Sequence, residues 1–135
     1  MKYIFLLYLW IGLICLGSCT FSNDSPGTAA KKYTGYIQSD EYEKFADVIY
    51  HDEALSPEQV VLGKRMIVSI MKDRAKETLE LKGGILSVGI VDEKISDDGK
   101  TAYVRLTYTY GNGEMENAEF HMVKSDGRWK LLLKN

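Results

Sequence analysis

An apolar run opens the chain, and amphipathic patterns follow it. Lys2 precedes an almost unbroken apolar stretch over residues 3–16. As a helix, that stretch would span about 21 Å, short of the roughly 30 Å hydrocarbon core of a bilayer. A basic residue before a short apolar run is typical of a secretory signal peptide.

A lipoprotein-processing motif follows the run, reading Leu16, Gly17, Ser18 and Cys19. Small residues at the cut site admit a peptidase, and the cysteine thiol accepts diacylglycerol. We expect residues 1–18 to be removed as a signal peptide, Cys19 to carry the lipid with palmitate-type acyl chains, and residues 19–25 to form a tether. Two acyl chains suffice for stable membrane anchoring. The alternatives are a secreted protein with a free Cys19 thiol and an uncleaved anchor.

The residue after the lipidated cysteine bears on localisation. Thr20 rather than aspartate resembles lipoproteins that are passed on to the outer membrane of Gram-negative envelopes. We therefore expect a lipid-anchored envelope protein that is attached to the membrane through Cys19. The sequence does not decide between the periplasmic face and the outer face of that membrane.

Helical spacing dominates residues 25–84. Ser25-Pro26 is a helix start, as is Ser56-Pro57 with Gln59 at the third helical position. Asp40 and Glu43 have capping-box spacing, which predicts that another helix begins at Asp40, between the first helix and the one at Ser56-Pro57. Gly83-Gly84 ends the last helix. The expected inward residues are Ala29, Ala30, Tyr33, Tyr36 and Ile37 in the first helix, Tyr42, Phe45, Ala46 and Ile49 in the second, and Val60, Ile67, Ile70 and Met71 in the third.

After Gly84 the apolar positions alternate, and turn sequences at 97–99, 111–113 and 125–127 separate four strands. This predicts a four-stranded antiparallel meander with one apolar face. The expected inward residues are Leu86, Val88 and Ile90; Ala102, Val104, Leu106 and Tyr108; Ala118, Phe120 and Met122; and Trp129, Leu131 and Leu133. The opposite face reads as mostly polar, with Tyr103, Arg105, Thr107, Thr109, Glu119, His121 and Lys130. The fold class is therefore α+β, with three N-terminal helices on one face of a four-stranded antiparallel sheet.

This order of elements resembles the cystatin-like cone of the nuclear transport factor 2-like superfamily. The closing residues 125–131, Ser-Asp-Gly-Arg-Trp-Lys-Leu, look like its common last hairpin and strand. Residues 25–33 and 38–44 resemble the opening of small envelope lipoproteins assigned to domain of unknown function 4878. The resemblance implies a single curved cone-type domain over residues 26–135. It implies no activity, because such cones hold a ligand, an active site or nothing.

Composition and charge exclude some classes of function. The 135 residues include 17 Lys plus Arg and 19 Asp plus Glu, for a net charge of -2. That balance encodes no strong attraction to nucleic acid. Removing residues 1–18 leaves 117 residues and takes Cys15 with it, so the mature chain has no second thiol for a disulfide or a cysteine-based metal site. We expect no cofactor.

Candidate sites in the sequence are aromatic rather than ionisable. A pocket between helices and sheet would be lined by Tyr33, Tyr36, Tyr108, Phe120 and Trp129, although the same rings can simply fill the core. Our leading hypothesis is a non-catalytic domain that binds a partner protein or a small apolar ligand.

Two alternatives stay open. One is an isomerase-like or dehydratase-like enzyme using Tyr36 or Tyr108 with Asp92, since Asp92 has inward parity on its strand. The other is a structural or accessory lipoprotein acting through the outer sheet face around Tyr103, Arg105, Glu119 and His121. His51 with its acidic neighbours is interpreted as a solvated loop, because adjacent residues do not easily converge on one metal ion.

Overall fold

The computed structural model describes residues 24–133. The predicted signal peptide and the lipidation site Cys19 lie outside these residues, as does most of the tether. Three helices precede four strands along the chain. The helices are α1 (Pro26–Gln38), α2 (Tyr42–Asp47) and α3 (Pro57–Lys82), and the strands are β1 (Ile85–Ile95), β2 (Thr101–Tyr110), β3 (Met115–Ser125) and β4 (Arg128–Leu132).

The ends of the helices follow from local chemistry. Ser25 Oγ accepts from Thr28 N at the start of α1, with Pro26 in the first turn. Ser56 and Gln59 form the predicted capping box of α3, and Gly83 ends that helix in the left-handed conformation at φ 79°. The prediction for α2 was wrong in detail: Glu41 is its cap residue without a side-chain cap bond, while Asp40, at φ 58°, accepts a hydrogen bond from the Tyr42 hydroxyl.

The strands form one antiparallel sheet in the order β1-β2-β3-β4, as the turn sequences predict. The free edge of β4 is partly covered by residues 48–50, because Tyr50 N donates to Leu131 O and Leu131 N donates to Val48 O. Together with the three helices, this sheet confirms the α+β fold class.

Two register shifts change which residues of β1 face the core. One lies between Ile85 and Ser87, and the other between Ile90 and Asp92. Each inserts one residue that has no partner on β2, so the alternation reverses beyond it. Leu86 is one inserted residue and is 70% exposed, which corrects its predicted inward position; Ile85 packs against the core instead.

The core lies between α1, the residues around α2 and the inner face of the sheet. Val104 and Leu106 of β2 and Met122 of β3 are almost completely enclosed. Trp129 and Leu131 of β4 are buried as predicted, whereas Leu133 follows the end of β4 and is exposed.

Helix α3 differs from the other two in its packing. It contains no buried residue, and it meets the core cluster through the half-buried Ile67 and Met71. Ile70, predicted to face inward with them, is 45% exposed. Lys64 Nζ donates to Asp47 Oδ1 of α2 at 2.8 Å, and Gly111 N donates to Gly84 O at the other end of the helix. Helix α3 therefore lies beside the packed body and is attached mainly through α2 and the β2–β3 turn.

Candidate functional site

Three of the five predicted pocket-lining residues, Tyr33, Tyr36 and Trp129, line one open depression of about 480 Å³. We call it the aromatic depression. Its floor is α1, and its rim is completed by Val48 and the β3–β4 turn. The remaining lining residues are Asp24, Ala29, Lys32, Asp47, Asp126, Arg128 and Lys130.

The Tyr33 side chain fixes the floor of the aromatic depression. Its hydroxyl donates to the backbone oxygen of Trp129, which ties α1 to β4. The rings of Tyr33 and Tyr36 stack with centroids 6.1 Å apart and an interplanar angle of 23°. Burial, followed by the neighbouring Tyr36, raises the pKa of Tyr33, so its hydroxyl stays protonated and keeps donating in the ordinary pH range.

The rim of the aromatic depression carries charges of both signs. Lys32, Arg128 and Lys130 provide cations, and Asp24, Asp47 and Asp126 provide carboxylates. Lys124 Nζ lies 5.6 Å from the Trp129 ring centroid, and Lys44 Nζ lies 5.8 Å from that of Tyr36. Aromatic surface surrounded by charges of both signs suits a ligand with both an apolar group and hydrogen-bonding groups.

Tyr108 and Phe120, the other two predicted pocket residues, lie elsewhere. Both are half-buried and pack against the core cluster. The Tyr108 hydroxyl is 3.4 Å from Thr34 Oγ1, whose own hydrogen bond goes to Ala30 O. Burial raises the pKa of Tyr108. These two rings therefore fill space between α1 and the sheet.

The residues of the enzyme alternative do not come together. Asp92 pairs with Arg105 across the β1–β2 ladder, whereas Tyr108 pairs with Val88. Cross-strand partners share a face of the sheet, and Arg105 and Tyr108 are three residues apart on one strand. Asp92 is thus on the face opposite Tyr108, and its predicted inward orientation was wrong because of the inserted residue before it.

Glu93 takes the inward position instead, opposite Val104. Its Oε2 accepts from Gly27 N at 2.7 Å, in the first turn of α1. Helix N-termini have free amide groups that favour a carboxylate. Strict alternation along β1 would place Glu93 on the outer face, so the sequence pattern does not predict this contact. The one sequence feature that agrees with it is the glycine at position 27, since a Cβ there would meet Glu93 Oε2 at 2.5 Å.

The outer sheet face holds the residues of the accessory-protein alternative in two neighbouring rungs. Tyr103 and His121 are cross-strand partners with ring centroids 5.4 Å apart. In the next rung, Arg105 Nε lies 3.9 Å from Glu119 Oε1, and Asp92 is on the other side of Arg105. The 3.9 Å ion pair is longer than a hydrogen bond, and Arg105 Nε is buried without a hydrogen-bond partner among the described residues. The outer face is otherwise a polar surface.

A larger depression, of about 530 Å³, lies between the end of α1 and the second half of α3. Leu79, Ile37 and Ile85 give it apolar walls, and Lys72 and Lys76 lie on its α3 side. It lacks the stacked aromatic rings of the aromatic depression.

Two absences hold for residues 24–133. They contain no cluster of histidine, cysteine and carboxylate side chains suited to a metal ion. None of their helices combines the length and the apolar character that crossing a bilayer requires.

The sequence profile described as "Domain of unknown function (DUF4878)" matches residues 18–132. The match covers most of the chain, so the protein belongs to this family, as its opening residues indicated. A search of curated proteins finds no significant match.

Solved structures show the same fold. An NTF2-like transpeptidase candidate from Campylobacter jejuni aligns with a TM-score of 0.70 at 22% identity, over 82% of this chain and 100% of its own. A SEC-C motif containing protein from Rhodopseudomonas palustris aligns with a TM-score of 0.52 at 13% identity, over 81% of this chain and 76% of its own. At such identities the likeness concerns the fold alone, and it confirms the NTF2-like architecture.

Proposed function

We propose that this protein is a lipid-anchored cell-envelope protein that binds a partner protein non-catalytically through the aromatic depression. The observation that carries the proposal is an open depression in which the half-buried Tyr36 ring and the edges of the buried Tyr33 and Trp129 rings lie within a rim of mixed charge. The partner segment it fits has an apolar or aromatic side chain flanked by groups of both charges.

Packing of the sheet supports binding at the surface rather than chemistry in the interior. Val104, Leu106 and Met122 fill the centre of the inner face, with Tyr108 and Phe120 packed around them. Within the described strands, two carboxylates have positions on the inner face, and both are engaged: Glu93 accepts from the amide of Gly27, and Glu116 accepts from the Tyr110 hydroxyl. Proton-transfer enzymes of this cone type hold an ionisable group in an apolar interior that faces the substrate, whereas the charged groups of the aromatic depression stand on its open rim.

Site-specific photo-crosslinking tests the binding site. A photoreactive phenylalanine analogue at Tyr36 should give a discrete adduct in intact cells, and Arg128→Glu should weaken that adduct by inverting a rim charge. The matched control is the analogue at Thr107, which is also half-buried but lies on the outer sheet face. Equal adducts at both positions, or none at Tyr36, would refute binding at the aromatic depression.

The anchor is tested separately. Cys19→Ala should abolish incorporation of radiolabelled palmitate and release the protein from membranes, because the thiol is the proposed attachment point. Ser22→Ala in the proposed tether is the control and should leave both unchanged. Continued labelling of the Cys19 variant would show that the lipoprotein motif was misassigned.

A further inference from the structure

The first half of α3 presents an apolar stripe to solvent. Leu62, Met66 and Ile70 recur at every fourth residue and are 60%, 59% and 45% exposed. Residues at this spacing share one side of a helix. Ile67 and Met71, which touch the core, lie roughly 120° further around the helix from the middle of this row. We call Leu62, Met66 and Ile70 the α3 stripe.

Charge divides α3 into two halves. In residues 57–72, Glu58 is the one acidic residue, against Lys64, Arg65 and Lys72. Lys64 is paired with Asp47, whereas Arg65 and Lys72 are in none of the ion pairs found within residues 24–133. The second half also has exposed leucines, and its Arg74 and Lys76 are likewise outside those ion pairs, but Asp73, Glu77 and Glu80 balance its basic residues and continue the line of the α3 stripe. Within α3, the first half alone therefore combines exposed apolar residues with an excess of positive charge.

The first half of α3 is also near the point where the tether enters the domain. Asp24 and Asp47 line the same aromatic depression. Asp47 in turn contacts Lys64 of α3 at 2.8 Å, and it shares a groove with Val61 and Arg65. The seven peptide steps from Cys19 to Pro26 reach at most about 25 Å. A lipid on Cys19 would therefore keep this end of the domain within about 25 Å of the bilayer, close enough for it to touch the surface.

From these observations we propose that the α3 stripe lies on the surface of the membrane that holds Cys19, with Arg65 and Lys72 towards anionic headgroups. The proposal rests on the lipid anchor in the proposed function. Interfacial helices bind membranes in this way, by burying an apolar face at the headgroup boundary and by attraction of basic residues to anionic lipid. The aromatic depression then opens beside the membrane surface.

The charge pattern favours a membrane over a second copy of the chain. In an antiparallel self-pairing with Met66 opposite Met66, residues 57–75 of the two copies face each other, and each of these segments carries more basic residues (Lys64, Arg65, Lys72 and Arg74) than acidic ones (Glu58 and Asp73). Like charges at a contact are destabilising. A tethered domain also meets the bilayer at far higher effective concentration than it meets another copy.

Photolabelling by lipid tests the contact without altering the chain. The mature chain, residues 19–135, is coupled at Cys19 to a maleimide lipid in vesicles of phosphatidylethanolamine and phosphatidylglycerol that contain a diazirine phospholipid. Because the anchor is supplied chemically, this result is independent of whether cells lipidate Cys19. Tryptic peptides 66–72 and 77–82 come from the two halves of α3, and the second carries the exposed Leu79 and Leu81 as a matched control.

We expect peptide 66–72 to be labelled at least about fivefold more than peptide 77–82, because an interfacial helix buries one apolar face. Leu62→Ser should reduce that labelling at least about threefold by interrupting the apolar face, and Leu79→Ser should leave it unchanged. Equal labelling of the two peptides would overturn the proposal. A second outcome would also overturn it: peptide 66–72 is protected from both the lipid and the aqueous diazirine probes, and this protection is lost when the protein is diluted in lipid. That result would identify a second copy of the chain as the occupant.

Discussion

Helices α1 and α3 begin alike, with a serine cap followed by proline, yet they are packed in opposite ways. The 13 residues of α1 include six buried ones, whereas the 26 residues of α3 include none. Helix α1 lies against the inner face of the sheet, and α3 lies beside the body of the domain. An amphipathic pattern thus shows that a helix has an apolar face without showing what that face meets.

The two helices are also held by different kinds of contact. Helix α1 is fixed by a buried bond from the Tyr33 hydroxyl to the oxygen of Trp129 and by a partly buried bond from Gly27 N to Glu93. Helix α3 is held by exposed polar contacts near both ends. Lys64 Nζ donates to Asp47 of α2, and Lys82 Nζ lies 4.6 Å from the Tyr110 ring centroid and 3.4 Å from Glu116 Oε2. We therefore expect substitutions around α1 to cost far more stability than substitutions on the open side of α3.

Trp129→Ala is expected to have the largest effect. Trp129 is 7% exposed and its backbone oxygen receives the Tyr33 hydroxyl. Removing a buried large aromatic ring costs about 3 to 5 kcal/mol of unfolding free energy. Urea unfolding followed by circular dichroism measures the loss, and Leu81→Ala on the exposed side of α3 is the control. A loss below about 0.5 kcal/mol, the usual range for surface sites, would contradict the burial of this strand.

Tyr33→Phe removes a single contact between α1 and β4. The carbonyl of Trp129 loses its hydroxyl donor, and a buried acceptor without a partner costs about 1 to 3 kcal/mol. Tyr36→Phe is the matched control, since Tyr36 stacks on Tyr33 but is only half-buried. The same urea experiment distinguishes them, and equal small losses in both variants would show that the hydroxyl contact does not hold α1.

The contact between Tyr110 of β2 and Glu116 of β3, which lies beside Lys82 of α3, should weaken at high pH. Burial, followed by the hydrogen bond to Glu116, raises the pKa of Tyr110 from 10.0 to about 12. The folded chain therefore keeps a proton that the unfolded chain releases above pH 10, so this contribution to stability is complete below pH 10 and is lost as the pH rises towards 12.

Comparing the wild type with Tyr110→Phe isolates that contribution. The slope of unfolding free energy against pH between 10 and 12 should be shallower in the variant, since the phenol that links folding to the proton is gone. Identical slopes would show that Tyr110 titrates alike in both states. Tyr50→Phe, at a half-buried tyrosine outside this cluster, controls for loss of a phenol in general.

The sequence specified most of the fold because capping and turn residues act locally. Ser56 with Gln59 forms its capping box and the turn at 111–113 closes its hairpin, each over a few residues. The two register shifts in β1 depend on contacts with β2 and α1. A prediction from the alternation of side chains along β1 therefore placed Leu86 and Asp92 on the wrong faces of the sheet. The aromatic depression was foreseen only in part, through Tyr33, Tyr36 and Trp129, because its rim charges come from segments that meet only in the folded chain.

Leu62→Gln on the α3 stripe is expected to have the smallest effect on stability. Leu62 is 60% exposed, and glutamine has nearly the helix propensity of leucine. The unfolding free energy of the mature chain without lipid should change by less than about 0.5 kcal/mol. Urea unfolding at two protein concentrations checks this, with Ile67→Gln as the control that removes a contact with the core. A larger loss of unfolding free energy in Leu62→Gln that depends on protein concentration would mean that the exposed side of α3 is buried against another copy of the chain. The difference in burial between α1 and α3 would then hold only for the isolated chain.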